Sequence, residues 1–194
     1  MGWLECIRNW LEGDEPDYIF DMPHRAVNKI YIHCSDSDNP AHDNIETVRN
    51  WHIHPRDRDD GTVVYKGGIY EDRKELPSEV RNKRGNGWND IGYHIFINSY
   101  GNVSNGRSFE LIPAAQKGHN YGSIAICLSG RKDLFNETQF DSLRDVCRAI
   151  RDAYKNLGIQ VTFHGHNEVD KGKSCPVIDY REILKLDKNG KLGL

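Results

Sequence analysis

The sequence predicts a single α/β domain: a central mixed β-sheet flanked by helices. Three observations carry this. Apolar, β-branched runs end in turn residues, one long segment repeats apolar residues every three or four positions, and the two patterns alternate along the chain. At 194 residues the chain can bury one good core and is short for two.

In chain order, "MGWLECIRNWLEG" reads as a short amphipathic helix within an N-terminal extension, residues 1–28. Its apolar run is too short to span a bilayer and lacks the continuous core of a secretory signal. Cys6 stands where a myristoylation site needs Ser or Thr. "KIYIHCS" (Lys29 to Ser35) has strand character and runs into the turn-rich "SDSDNP", which places His33 near the strand's C-terminal end. "NIETVRNWH" reads as a short helix with Ile45, Val48, Trp51 and His52 on one face and Asp43 and Asn44 as candidate caps. Trp51 is expected in the core beneath it.

From residue 53 to 86 the composition turns to Arg, Asp, Gly and Lys, and this stretch reads as an insertion. "TVVYKGGIYE" fits a hairpin turning at Gly67 and Gly68. The charge run reads as a solvated face, with a cleft rim as the alternative. "IGYHIFI" and "SIAICLS" are strands, and Phe140, Leu143, Val146, Cys147, Ile150, Ala153, Tyr154 and Leu157 define a helix opened by Asn136 and ended by Gly158. "IQVTFHGH" is a last strand that delivers His164 and His166 to its end, facing one side. A loop then carries Lys173 and Cys175, and residues 185–194 form a tail.

Lys plus Arg total 26 against 29 Asp plus Glu, so no bulk electrostatic pull toward nucleic acid or anionic membranes exists. Five cysteines without framework spacing predict reduced thiols and synthesis in a cytoplasm.

Zinc takes imidazole nitrogen and thiolate sulfur, and catalytic sites keep the fourth tetrahedral position open for water. Two strand-end histidines and a loop cysteine, His33, His166 and Cys175, have the right chemistry for such a site. A strand-end histidine also serves as a surface or capping residue, and spacing alone does not choose.

Five blocks in order, "IHCS", "WNDIGYHIFI", "GNVSNGR", "GHNYGSIAICLSG" and "HNEVDKGKSCP", resemble the type 2 N-acetylmuramoyl-L-alanine amidases. That zinc family includes small phage lysozymes and peptidoglycan recognition proteins. The resemblance covers residues 29–184, interrupted by the 53–86 insertion. It implies one zinc ion on His33, His166 and Cys175, with Tyr93 and Lys173 assisting the attacking water and the tetrahedral intermediate.

It further implies hydrolysis of the amide between N-acetylmuramic acid and L-alanine in peptidoglycan, by a phage or prophage endolysin. Such a protein is expected to be a monomer without stable membrane insertion, cytoplasmic until released to the wall. The competing reading is a non-catalytic wall-binding or regulatory protein with a structural zinc. Binding-only relatives typically lack the zinc cysteine, so Cys175 favours catalysis.

Arg107 and Asn120 fall in blocks that hold the stem peptide in this family, although Arg107 equally fits a surface ion pair. Ala115 stands where many relatives carry histidine. Of the remaining residues, His164 is expected beside the site or at the surface, and His52 and His54 in a solvated loop rather than at a second metal. Cys34 and Cys127 are expected buried, with Cys34 pointing away from the metal. Trp88 opens the strand that carries Tyr93.

Overall fold

A computed structural model describes residues 18–193, so the N-terminal helix expected over "MGWLECIRNWLEG", with Cys6, lies outside the described residues. A five-stranded mixed sheet has the order β6-β5-β7-β1-β8, built from β1 (Lys29–Cys34), β5 (Ile95–Ile97), β6 (Val103–Asn105), β7 (Ser123–Leu128) and β8 (Thr162–Gly165). β5, β7, β1 and β8 pair in parallel, and only edge strand β6 runs antiparallel. This is the mixed sheet expected from the sequence.

Alternation along β1 divides the structure into two faces. Ile30 and Ile32 point with Ile124, Ile126, Ile95 and Ile97 into the larger core, where Leu143, Val146, Cys147 and Ile150 of helix α2 (Glu137–Lys155) cover them. Asn136 caps α2 by accepting the Gln139 N–H, and Gly158, at φ +72°, turns the chain back beyond it. Each fully buried Leu or Ile stabilises the fold by about 2 kcal/mol. Segments that flank the expected domain also join this core, since Tyr18, Phe20, Met22, Leu186 and Leu192 pack against it.

On the opposite face, Val48 of helix α1 (Ile45–Ile53) packs with Ile91, Phe96 and Cys127, and Trp51 lies against that cluster. Asn44 caps α1 by accepting the Thr47 N–H at 2.8 Å. His33 shares this face, because it pairs in register with Cys127.

Two expectations need correction. "IGYHIFI" forms a strand only over Ile95–Ile97; the segment before it is held by loops, with Gly106 N–H donating to His94 O and Arg107 N–H to Tyr93 O. The hairpin of β3 (Val63–Tyr65) and β4 (Gly68–Tyr70) turns on Lys66 and Gly67, not on Gly67 and Gly68. Both turn residues have positive φ, which a type I′ hairpin turn requires.

The charge of the insertion lies mostly on a solvated face, as expected, with Arg73 and Arg81 the half-buried exceptions. Arg73 donates to Asp57 and to the carbonyls of Arg81 and Lys83, and Arg81 donates to the carbonyls of Lys74 and Leu76. These guanidinium groups staple the excursion shut around buried Val63 and Leu76, beside the short strand β2 (Arg56–Asp57). It returns onto the C-terminal end of α1, where Asn86 N–H donates to Trp51 O and Trp88 N–H to His52 O.

His94 is fully buried, stacked on Phe109 and hydrogen-bonded through Nδ1 to the Ala125 N–H and through Nε2 to Leu111 O. Burial holds its pKa down to about 4. An unfolded histidine titrates near 6.5, so between those values the unfolded chain binds a proton that the folded one refuses. The resulting stability, about 3 kcal/mol, is complete above pH 6.5 and is lost as pH falls toward 4. In metal-free protein, His94→Gln is expected to flatten the decline of the urea midpoint between pH 7 and pH 5. Parallel declines in the two proteins would contradict this assignment.

Candidate metal centre

The parallel register of β1 and β8 pairs Ile32 with Gly165, so the residues that follow this pair, His33 and His166, emerge side by side. Ligands of α/β sheets gather outside the carboxyl ends of parallel strands, which is where these rings stand. Their centroids are 4.7 Å apart. His166 is not the strand's last residue, as the sequence suggested; it opens the short helix α3 (His166–Val169). That break re-aims it relative to His164.

The loop after α3 brings Cys175 alongside. Asn167 N–H donates to Cys175 O at 2.8 Å, and Gly165 makes the approach possible. A methyl on Gly165 would stand 2.6 Å from Asn167 Oδ1, 2.8 Å from a Tyr180 ring carbon and 3.0 Å from Pro176 Cδ. Only glycine fits between the two histidines of "HGH" while the Cys-Pro loop lies against it.

His33, His166 and Cys175 each offer one ligand atom, and the three atoms lie within 4.8 Å of one another. Among the described residues, no other group of histidine, cysteine and acidic side chains gathers in this way. His33 Nδ1 stands 3.7 Å from Cys175 Sγ, and its Nε2 is bonded to Gln116 Oε1 at 3.0 Å. The Cys34 N–H points at Cys175 Sγ from 3.2 Å.

Two imidazoles and a thiol, one half of each ring already engaged or half-exposed, suit a tetrahedral divalent ion with one open position. Burial, with the neighbouring His166, lowers the His33 pKa to about 3, and burial lowers that of His166. Both rings are therefore neutral at pH 7, the form that ligates.

Tyr93 lies beside this cluster, its ring 5.2 Å from that of His33. Burial, with the nearby thiols of Cys127, Cys175 and Cys34, holds its pKa well above 10, so the phenol stays a donor. Gly92 N–H donates to His52 Nδ1 at 3.0 Å and Ala114 N–H to Gly92 O, fixing the segment that carries Tyr93. Lys173 is exposed on the Cys175 loop, near enough that its charge helps lower His166.

The remaining candidates fall outside the cluster. Arg107 spends its guanidinium on the carbonyls of Ile91 and Ile112, at 2.8 and 3.1 Å, rather than on a surface carboxylate. Asn120 Oδ1 accepts the backbone N–H groups of Ala115 and Gln116. His164 bonds Thr162 and Glu168, and its ring lies against Tyr31. His52 is wedged between Trp88 and Tyr93 instead of standing in a solvated loop, and burial lowers its pKa to about 4.

Cys127 is fully buried, but Cys34 does not keep clear of the site: its backbone and thiol both reach Cys175. Sequence reasoning missed Gln116 altogether.

A His–His–Cys cluster at the carboxyl edge of a largely parallel sheet could hold a metal ion with a position left open for water. Residues 23–177 match the N-acetylmuramoyl-L-alanine amidase family, and the chain belongs to that family. It is 26% identical over 163 residues to the endolysin of Escherichia phage T7, covering 80% of this chain and 84% of that protein. The endolysin of the Thermus scotoductus bacteriophage Ph2119 shares the fold at a TM-score of 0.57 and 19% identity, over 95% of this chain and 96% of its own. LysCS, an N-acetylmuramoyl-L-alanine amidase endolysin from Clostridium intestinale, superposes at 0.56 with 19% identity, over 87% and 90%.

Proposed function

We propose that this amidase holds one zinc ion on His33, His166 and Cys175 and cleaves the amide joining the lactyl group of N-acetylmuramic acid to the L-alanine of the stem peptide. The observation that carries this reading is the convergence of three ligand atoms within 4.8 Å, inside a chain of the amidase family. When bound, zinc polarises the amide carbonyl and brings the pKa of water near 7.

The protein's own groups do the rest. Tyr93, protonated at working pH, orients the attacking water or donates to the carbonyl oxygen as it gains charge. The Lys173 ammonium stabilises that charge more strongly in the tetrahedral adduct than in the planar amide, which is the condition for speeding the chemical step. Arg107 and Asn120 serve the stem peptide by shaping the loops on which it would rest. The 53–86 excursion, abutting Trp88 and His52, extends the Tyr93 side of the cleft.

The protein acts on peptidoglycan as a monomer and reaches the wall from inside the host cell; its similarity to a phage endolysin supports the wall as its target. No helix of the described residues is long and apolar enough to cross a membrane. Mass spectrometry of fragments released from purified sacculi tests the bond cleaved. The expected products are glycan strands with free lactyl carboxylates and stem peptides with new alanine amino termini. Zinc-loaded protein that sediments with sacculi and releases nothing would instead establish a wall-binding role.

A further inference from the structure

Gln116 is fully buried, polar and in contact with a member of the cluster. Its Oε1 stands 3.0 Å from His33 Nε2, on the far side of the ring from Nδ1, which faces Cys175. The direction of that bond follows from the acceptors at the other end. Gln116 Nε2 donates to Ser123 Oγ at 2.7 Å and approaches His119 O at 3.5 Å, while the Ser123 hydroxyl donates to Asn120 O at 2.8 Å.

Backbone carbonyls accept only, so the Ser123 proton is committed to Asn120 O and the amide nitrogen must face Ser123. A flipped amide would set its oxygen against oxygens whose protons are spent. Gln116 therefore presents an acceptor to His33, and His33 must answer with an N–H at Nε2. Its Nδ1 is left with a free lone pair aimed into the cluster. Asn120 holds this arrangement in place by clamping the Ala115 and Gln116 N–H groups.

We propose that Gln116 is a positioning residue for the metal centre: it fixes His33 in the Nε2–H tautomer and so keeps Nδ1 as the ligating nitrogen. This role rests on the zinc reading above. An outer partner of this kind typically changes metal affinity by about 10–100-fold.

The test compares wild type with Gln116→Leu, which fills similar volume without an acceptor, and Gln116→Glu, which restores one. Zinc affinity is measured by chelator competition, and the His33 tautomer by long-range proton–nitrogen NMR of the metal-free proteins at pH 7. Wild type is expected to show Nε2 protonated and Nδ1 free. Gln116→Leu should lose that single tautomer and bind zinc about 10–100-fold more weakly, and Gln116→Glu should recover both.

Equal zinc affinity in wild type and Gln116→Leu, or a wild-type His33 protonated at Nδ1, would overturn the proposal. Wild type that takes up no zinc at all would instead sink the metal reading on which the proposal rests. The two failures are thus distinguished by the first measurement.

Discussion

Replacing Cys175 with serine is expected to abolish zinc binding and wall hydrolysis together. In the proposed site Cys175, deprotonated on binding zinc, would be the only anionic ligand of the three, and its sulfur receives the Cys34 N–H. A hydroxyl at that position keeps its proton at neutral pH and offers a weak, neutral donor. Structural zinc sites gather about 10–16 kcal/mol from their full ligand set, so losing one of three main contributors costs about 4 kcal/mol, on the order of 10³ in affinity. Dialysed Cys175→Ser should then carry no zinc by elemental analysis and leave sacculi uncut. A variant that keeps stoichiometric zinc, or lyses at the wild-type rate, would show that the cysteine is not a ligand.

Lys173→Ala should separate what Cys175→Ser joins. Lys173 sits two residues before the cysteine on an exposed loop and donates to no structural acceptor among the described side-chain hydrogen bonds. Its loss is therefore expected to leave folding and zinc content unchanged. The charge it brings matters most when the amide carbonyl oxygen becomes anionic, and removing one such stabilising group typically lowers kcat by about 10²–10³-fold, or about 3–4 kcal/mol. KM should move little, because the ground-state carbonyl carries little charge. An unchanged kcat at full zinc occupancy would remove Lys173 from the chemistry. A loss confined to KM would recast it as a wall-binding cation.

Much of this was legible in the sequence, and the parts that were not share a physical cause. The strands β1 and β7 and the helix α2 announce themselves through local apolar periodicity, and their caps, Asn136 and Gly158, lie where the pattern stops. The edge strand β6 does not, because "VSN" is short, polar and held by pairing with β5 rather than by its own pattern. His33, His166 and Cys175 have the chemistry of ligands, but it was the resemblance of the blocks around them to the amidase family that singled them out. His33 and Cys175 are separated by 142 positions in the chain, yet the β1–β8 register closes that gap.

Gln116 left no such trace. A glutamine in "PAAQKG" reads as a loop surface residue, and only the closing of the 115–120 loop onto Asn120 buries it against His33. Arg73 and Arg81 are the exceptions to the solvated face that the insertion's charge predicts. Arg73 and Arg81 look like solvated cations until the chain supplies the carbonyls that their guanidinium groups bind.

The central claim is that two imidazoles and one thiolate meet around a single ion with room left for water. X-ray absorption at the zinc edge of the purified, zinc-loaded protein reads that shell directly. One zinc per chain is predicted, with two nitrogen scatterers near about 2.0 Å, one sulfur near about 2.3 Å and one further light atom. A shell without sulfur, or one holding two sulfurs, would contradict the account.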